Sequence, residues 1–214
     1  MKTALIIGAT GLTGKQLTYL LLGDKRYAKV VLLVRTPLDT VHQKLEQVVY
    51  DFDNPGEQMI KADDVYCCLG TTIRKAGSKA AFYKVDYEYV LQIAHAAYKN
   101  GAKNFALVSS MGANKKSSFF YQRTKGEIEE AISRIGFEGC YIFRPSILKG
   151  HRNEFRPGEA FMLLLVQLLG IFIPKKYKPI AAGKVAKAMA DTVHLNQKGI
   201  QIYESHQIAA LSLH

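Results

Sequence analysis

The stretch Gly8-Ala9-Thr10-Gly11-Leu12-Thr13-Gly14 constrains this chain more than any other. It stands between a short apolar run, Thr3–Ile7, and a stretch whose apolar residues, Leu12, Leu17, Leu20 and Leu21, recur at helical spacing until Gly23. At a strand-to-helix turn each glycine has a separate task. The first permits the tight turn, the second lets the backbone approach a pyrophosphate, and the third lets the helix pack closely on the sheet. The N–H groups of the first helical turn then face the phosphates. A glycine-rich turn without a ligand is the competing reading.

The same alternation continues along the chain. Val30–Val34, Leu45–Tyr50, Val65–Leu69, Phe105–Val108 and Tyr141–Phe143 read as strands, with helix-like stretches at Ala80–Tyr98 and about Phe119–Ile135. Strands that alternate with long helices make βαβ units, and so a parallel sheet covered on both faces. The expected fold is α/β, a doubly wound Rossmann-type parallel sheet with helices on both faces. After Arg144-Pro145 the pattern changes: a polar stretch, an apolar helix over 160–170, a helix over Gly183–Val193 and a late strand, Ile200–Tyr203. We read residues 1–145 as the core and 146–214 as a small C-terminal, substrate-side cap within one domain.

Composition narrows the classes. At 48% apolar and 22% charged in 214 residues, the chain is globular rather than disordered. The uncharged stretch Ala160 to Ile173 is too short for a membrane span, which needs about 20 residues. The three cysteines have no metal-ligand spacing and read as reduced thiols, and the apolar N-terminus stops at Gly8, too soon for a signal peptide. A cytoplasmic location is expected. The net charge of +11 favours anionic partners. However, the runs Lys115-Lys116 and Lys175-Lys176-Tyr177-Lys178 carry no nucleic-acid motif. Neither nucleic-acid binding nor a metal site is expected.

Two further places carry chemistry. About 20 residues beyond a glycine turn, NAD binders place a carboxylate on the ribose 2′-OH. Here the second strand runs into Arg35-Thr36, which suits a 2′-phosphate, so NADP(H) is expected over NAD(H). Asp51, after the third strand, could accept from an adenine amino group, and Leu69-Gly70 could lie along the adenosine. The catalytic candidate is Tyr121-Gln122-Arg123-Thr124-Lys125, opening a helix after a strand that ends in Ser109-Ser110. Residues i and i+4 share a helix face, so the Lys125 ammonium can lie beside the Tyr121 phenol. A nearby cation lowers a phenol pKa toward neutrality, the poise a general acid/base needs. A serine hydroxyl, from Ser110 or its neighbour Ser109, can hydrogen-bond a substrate carbonyl as charge develops.

On these residues the chain resembles an atypical short-chain dehydrogenase/reductase, and within that superfamily the Tat-interacting oxidoreductase group of NAD(P)-binding proteins. The match runs through Gly8–Gly14, Cys67–Thr72, Ser109-Ser110, Tyr121–Glu127, Phe143–Pro145 and Arg156–Glu159. The resemblance implies that Thr10 to Thr13 and Arg35-Thr36 hold the adenosine phosphates and that Leu69 and Gly70 wall the adenine side. It also implies that Tyr121 and Lys125 contact the nicotinamide ribose, that Pro145, Ile147 and Leu148 touch the nicotinamide, and that Ser110 is the catalytic serine. One departure stands out. Simple members of the superfamily carry an asparagine in the helix before the fifth strand, where this chain offers Asp86 and no asparagine before Asn100.

Two functions follow as expectations. One is an NADP(H)-dependent oxidoreductase acting on a carbonyl or alcohol of a small or lipid-like substrate. The other is an NADP(H)-binding redox sensor that works through a protein partner with little turnover. The apolar 160–170 segment could roof a pocket or meet a protein partner or a second subunit.

Overall fold

Runs of apolar residues buried on both faces of the sheet, such as Ala4–Ile7 and Val30–Val34, set the architecture, because a strand covered on both sides needs no polar alternation. A computed structural model describes residues 1–149, 174 and 177–212. The strands are β1 (Lys2–Ile7), β2 (Tyr27–Val34), β3 (Leu45–Val49), β4 (Asp64–Cys67), β5 (Asn104–Val108), β6 (Gly139–Arg144) and, later in the chain, Gly199–Glu204. They form one sheet in the order β3-β2-β1-β4-β5-β6 followed by the 199–204 strand, and every pairing is parallel. The doubly wound fold is as expected.

Alternate residues of each strand feed two cores. Ala4, Ile6, Leu32 and Phe143 join Leu17 and Leu21 of helix α1 (Leu12–Gly23) on one face. Leu5, Ile7, Leu33 and Ile142 join the other face. There they meet Val90, Ile93 and Ala97 of one helix and Ile128 and Ile132 of another. Two short helices, α2 (Ile73–Ala76) and α3 (Lys79–Tyr83), precede the first of these, α4 (Tyr89–Lys99); the second is α5 (Phe120–Ser133).

Three differences from the sequence reading have physical causes. The fourth strand stops at Cys67 rather than Leu69, because the backbone from Cys68 turns against Gly8. The expected helix Ala80–Tyr98 is interrupted by a π-helical turn, Lys84–Glu88, between α3 and α4. The region after residue 145 divides. A short pair of strands, β7 (Leu148–Lys149) and β8 (Ile180–Ala181), stands apart from the main sheet, whereas α6 (Ala182–His194) packs beside α1 and β9 (Gly199–Glu204) pairs with β6. A last helix, α7 (Ser205–Leu211), follows. The apolar 160–170 segment and the basic Lys175-Lys176 pair lie outside the described residues.

Candidate active site

The chain order reverses direction across the sheet between β1 and β4, and in open parallel sheets ligands bind at such a switch point, beyond the carboxyl ends of the strands. There the chain leaves β1 through Gly8, whose φ of +79° suits a residue without a side chain. A Cβ on Gly8 would stand 2.6 Å from the Cys68 carbonyl carbon, and one on Gly14 would stand 2.2 Å from the Gly8 oxygen. These two contacts draw β4 and α1 tightly against the turn. Gly11 N–H donates to the Gly8 carbonyl at 3.0 Å, and Gly11 caps α1.

A cleft of about 320 Å³ opens in front of this turn. Gly11, Leu12 and Thr13 form one wall, Leu69 and Gly70 another, and Ser110, Tyr121, Lys125, Pro145, Ile147 and Leu148 complete it. Eleven sequence-predicted residues thus share one cavity. Gly8 and Gly14 lie behind the wall as packing positions, while Thr10 borders a neighbouring hollow with Lys15 and Leu38. Arg35 and Thr36 are exposed at the end of β2, outside the cleft. Asp51 is exposed too, with one oxygen accepting from Asp53 N–H and the other from Asn54.

The fit of a dinucleotide rests on the α1 end of the cleft. Thr13 is buried in the first turn of α1, yet its hydroxyl has no hydrogen-bond partner. An orphaned buried hydroxyl beside unpaired helix N–H groups suits an anionic oxygen. This donor set fits a pyrophosphate.

The two serines after β5 separate clearly. Ser109 is buried and its hydroxyl donates to Glu129, which also receives the Arg144 guanidinium at 2.6 Å. Arg144 reaches Glu204 on the other side at 3.0 Å, and these carboxylates hold it above its ordinary value. Ser109 is therefore tied into a structural network. Both serines line the cleft, but Ser110 is the less buried and its hydroxyl makes only a 3.4 Å contact with the Met111 carbonyl.

Tyr121 stands in the first turn of α5, its ring 5.4 Å from that of Phe82. Lys125, one turn on, is 4% exposed. From the sequence alone, Lys125 is a lone cation beside the phenol. In the structure its ammonium lies 2.7 Å from Asp86, itself 1% exposed. Burial alone would lower the Lys125 pKa, but the Asp86 carboxylate outweighs it, with Tyr121 and Cys67 acting in the same direction, and holds the ammonium above the ordinary lysine value.

Among the cleft residues to which the sequence assigned no role are Thr71 and Asp86, the latter noted only as standing where simple family members carry an asparagine. A signal was present: Phe82, Asp86 and Val90 are spaced by four, which puts a carboxylate on an apolar helix stripe. A buried acid at such a position requires a cation or donors nearby.

Comparison with known proteins gives the family and the fold. Residues 8–138 match the model of the NAD(P)H-binding family. Protein HTATIP2 of Rattus norvegicus is 42% identical over 164 residues, covering 74% of this chain and 67% of that protein. Protein FMP52, mitochondrial, of Candida albicans is 36% identical over 204 residues, covering 91% and 88%. Among solved structures, MoeE5 in complex with UDP-glucose and NAD shares the fold with a TM-score of 0.73 at 15% identity, over 98% of this chain and 80% of that one.

Proposed function

The chain belongs to the NAD(P)H-binding family, and from that premise we propose that it is an NADP(H)-dependent oxidoreductase of the short-chain dehydrogenase/reductase type. Its substrate would be a small or lipid-like carbonyl or alcohol. One observation carries the reading: a single cleft joins the phosphate-ready start of α1 to Ser110, Tyr121 and Lys125. A pure binding module has no use for the second group.

When bound, a nicotinamide cofactor supplies the hydride that reduces a carbonyl carbon, or accepts it from the alcohol. The chain does the rest. The first-turn N–H groups of α1 and the Thr13 hydroxyl hold the pyrophosphate, with Thr10 and Leu12 beside them. Arg35 and Thr36 meet the 2′-phosphate, and Asp51 accepts from the adenine amino group. Leu69 and Gly70 line the adenosine, and Pro145, Ile147 and Leu148 line the nicotinamide. Ser110 Oγ–H donates to the carbonyl oxygen. Tyr121 Oη–H gives that oxygen its proton as the alcohol forms, and takes it back in the reverse direction. Lys125 donates to the ribose hydroxyls and keeps positive charge near the phenol.

No helix among the described residues is long and apolar enough to cross a membrane. We place the protein in the cytoplasm; the mitochondrial names of fungal relatives make mitochondria the alternative, which cell fractionation decides. The functional test is calorimetry with NADPH and NADH, followed by a screen for NADPH oxidation across aldehydes, ketones and quinones. Tight NADPH binding with turnover of one class is expected. Absence of cofactor binding would overturn the reading. Binding that changes association with a protein partner, without turnover, would replace it with the sensor.

A further inference from the structure

The π-helical turn Lys84–Glu88 carries Asp86 at its centre, and such turns concentrate at functional sites because they re-aim one side chain. The two oxygens of this carboxylate go to different elements. Oδ1 meets the Lys125 ammonium of α5 at 2.7 Å, as an ion pair outside hydrogen-bond geometry. Oδ2 accepts the Thr71 backbone N–H at 2.8 Å, in the loop that follows β4. That loop and α5 form facing parts of the cleft wall. Gly70 completes the arrangement, since a Cβ there would press on Asp86 Oδ1 at 3.3 Å.

We propose that Asp86 is a positioning residue for the candidate active site: its carboxylate fixes the Lys125 ammonium with one oxygen and the β4–α2 loop with the other, so that the cofactor wall and the Tyr121–Lys125 face move as one unit. The proposal rests on reading the cleft as the nicotinamide site. An exposed ion pair would contribute little, because water screens it. This pair is buried at both ends, so removing the acid strands a charge that the protein interior penalises. The groups facing the ammonium are Asp86 from the π turn, Tyr121 from α5 itself and the buried Cys67 thiol from β4. Of these, Asp86 is the only carboxylate, and burial pushes the Cys67 thiol up to about 12. The charge state of Lys125 therefore depends on Asp86.

The experiment has one arm without ligand and one with. In protein labelled with 13C at the lysine ε-carbons, the Lys125 signal is identified by its absence from Lys125→Met and followed between about pH 6 and pH 11. The wild-type signal stays flat, whereas in Asp86→Asn it titrates within that range. NADPH affinity of Asp86→Asn then falls roughly fivefold or more as pH rises through the new midpoint, while wild-type affinity holds steady. A merely structural role for Asp86 would weaken binding equally at every pH. If Asp86→Asn does not fold, the double variant Asp86→Asn with Lys125→Met, which removes both charges, should fold and restore the urea midpoint. A Lys125 signal that stays flat in Asp86→Asn, or a double variant as unstable as the single one, would overturn the proposal. Failure of the wild type to bind NADPH would instead overturn the functional reading, leaving the ligand-free titration to decide the role of Asp86.

Discussion

The two ends of the central sheet each bury a carboxylate, and they treat it differently. At the amino end, Asp64 is fully buried and saturated: Tyr27 donates to it at 2.6 Å, Asn104 at 2.7 Å, and Lys2 lies 3.2 Å away. The Tyr27 and Tyr66 hydroxyls are 2.8 Å apart, and burial drives both phenols well above their ordinary range. At the carboxyl end, Asp86 holds one ammonium and one loop at the edge of a cleft, where Thr13 keeps an unpaired buried hydroxyl and Ser110 an almost uncommitted one. A saturated polar cluster ties strands together; an unsaturated one waits for a partner. The difference assigns stability to the Asp64 cluster and chemistry to the cleft beside Asp86.

The sharpest break between the ends comes from Asp64→Ala. It leaves the Tyr27 hydroxyl, the Asn104 amide and the Lys2 ammonium without their shared acceptor, so urea denaturation should show a loss of about 3–5 kcal/mol. NADPH affinity of the folded fraction should change by no more than about twofold. A loss below about 1 kcal/mol would mean that the amino end is not the structural one.

Tyr121→Phe should show the opposite signature. The ring and its packing on Phe82 remain, so stability should stay within about 1 kcal/mol. Turnover on any substrate found should drop by roughly 10²-fold or more, while NADPH still binds within a few-fold. Parent-like turnover would remove Tyr121 from the chemistry.

Smaller effects sharpen the same contrast. Arg35→Asp should narrow or reverse a preference for NADPH over NADH of about tenfold, read by calorimetry with both cofactors. Equal affinities in the parent would defeat that assignment. At the amino end, burial opposes the Asp24 charge, but hydrogen bonds from the Arg26 side chain and backbone prevail and bring its pKa to about 2. A carboxyl lowered on folding stabilises the protein above its unfolded value of 3.8, and that contribution fades as pH falls through about 2. Asp24→Asn should therefore cost on the order of 1 kcal/mol at neutral pH and progressively less as pH falls through about 2, allowing for the exposed Arg26. Parallel stability curves for the two proteins across that range would contradict it.

Much of this was legible in the sequence, and the exceptions have identifiable causes. The glycine turn announced itself because the close approaches at Gly8 and Gly14 leave no space for a side chain. Tyr121 and Lys125 were readable as an i, i+4 pair on one helix. The pairing of Lys125 with Asp86 was not read from the sequence, because the four-residue spacing of the buried Phe82, Asp86 and Val90 puts an acid on the apolar side but does not say which cation meets it. The return of the chain to the sheet was hidden for another reason. The β9 pairing with β6 joins residues some 60 apart in sequence, such as Phe143 with Tyr203, and local periodicity carries no information about register at that range. Arg144 likewise looked like the end of a core, yet its guanidinium bridges Glu129 and Glu204 across that very join.

Hydrogen–deuterium exchange with and without NADPH tests the division of labour most directly. Protection should concentrate in residues 8–14, 68–72 and 145–148, which surround the cleft, with no change at 63–64 and 103–104 beneath the sheet. Protection centred on the amino end, or none at the glycine turn under saturating NADPH, would contradict the account.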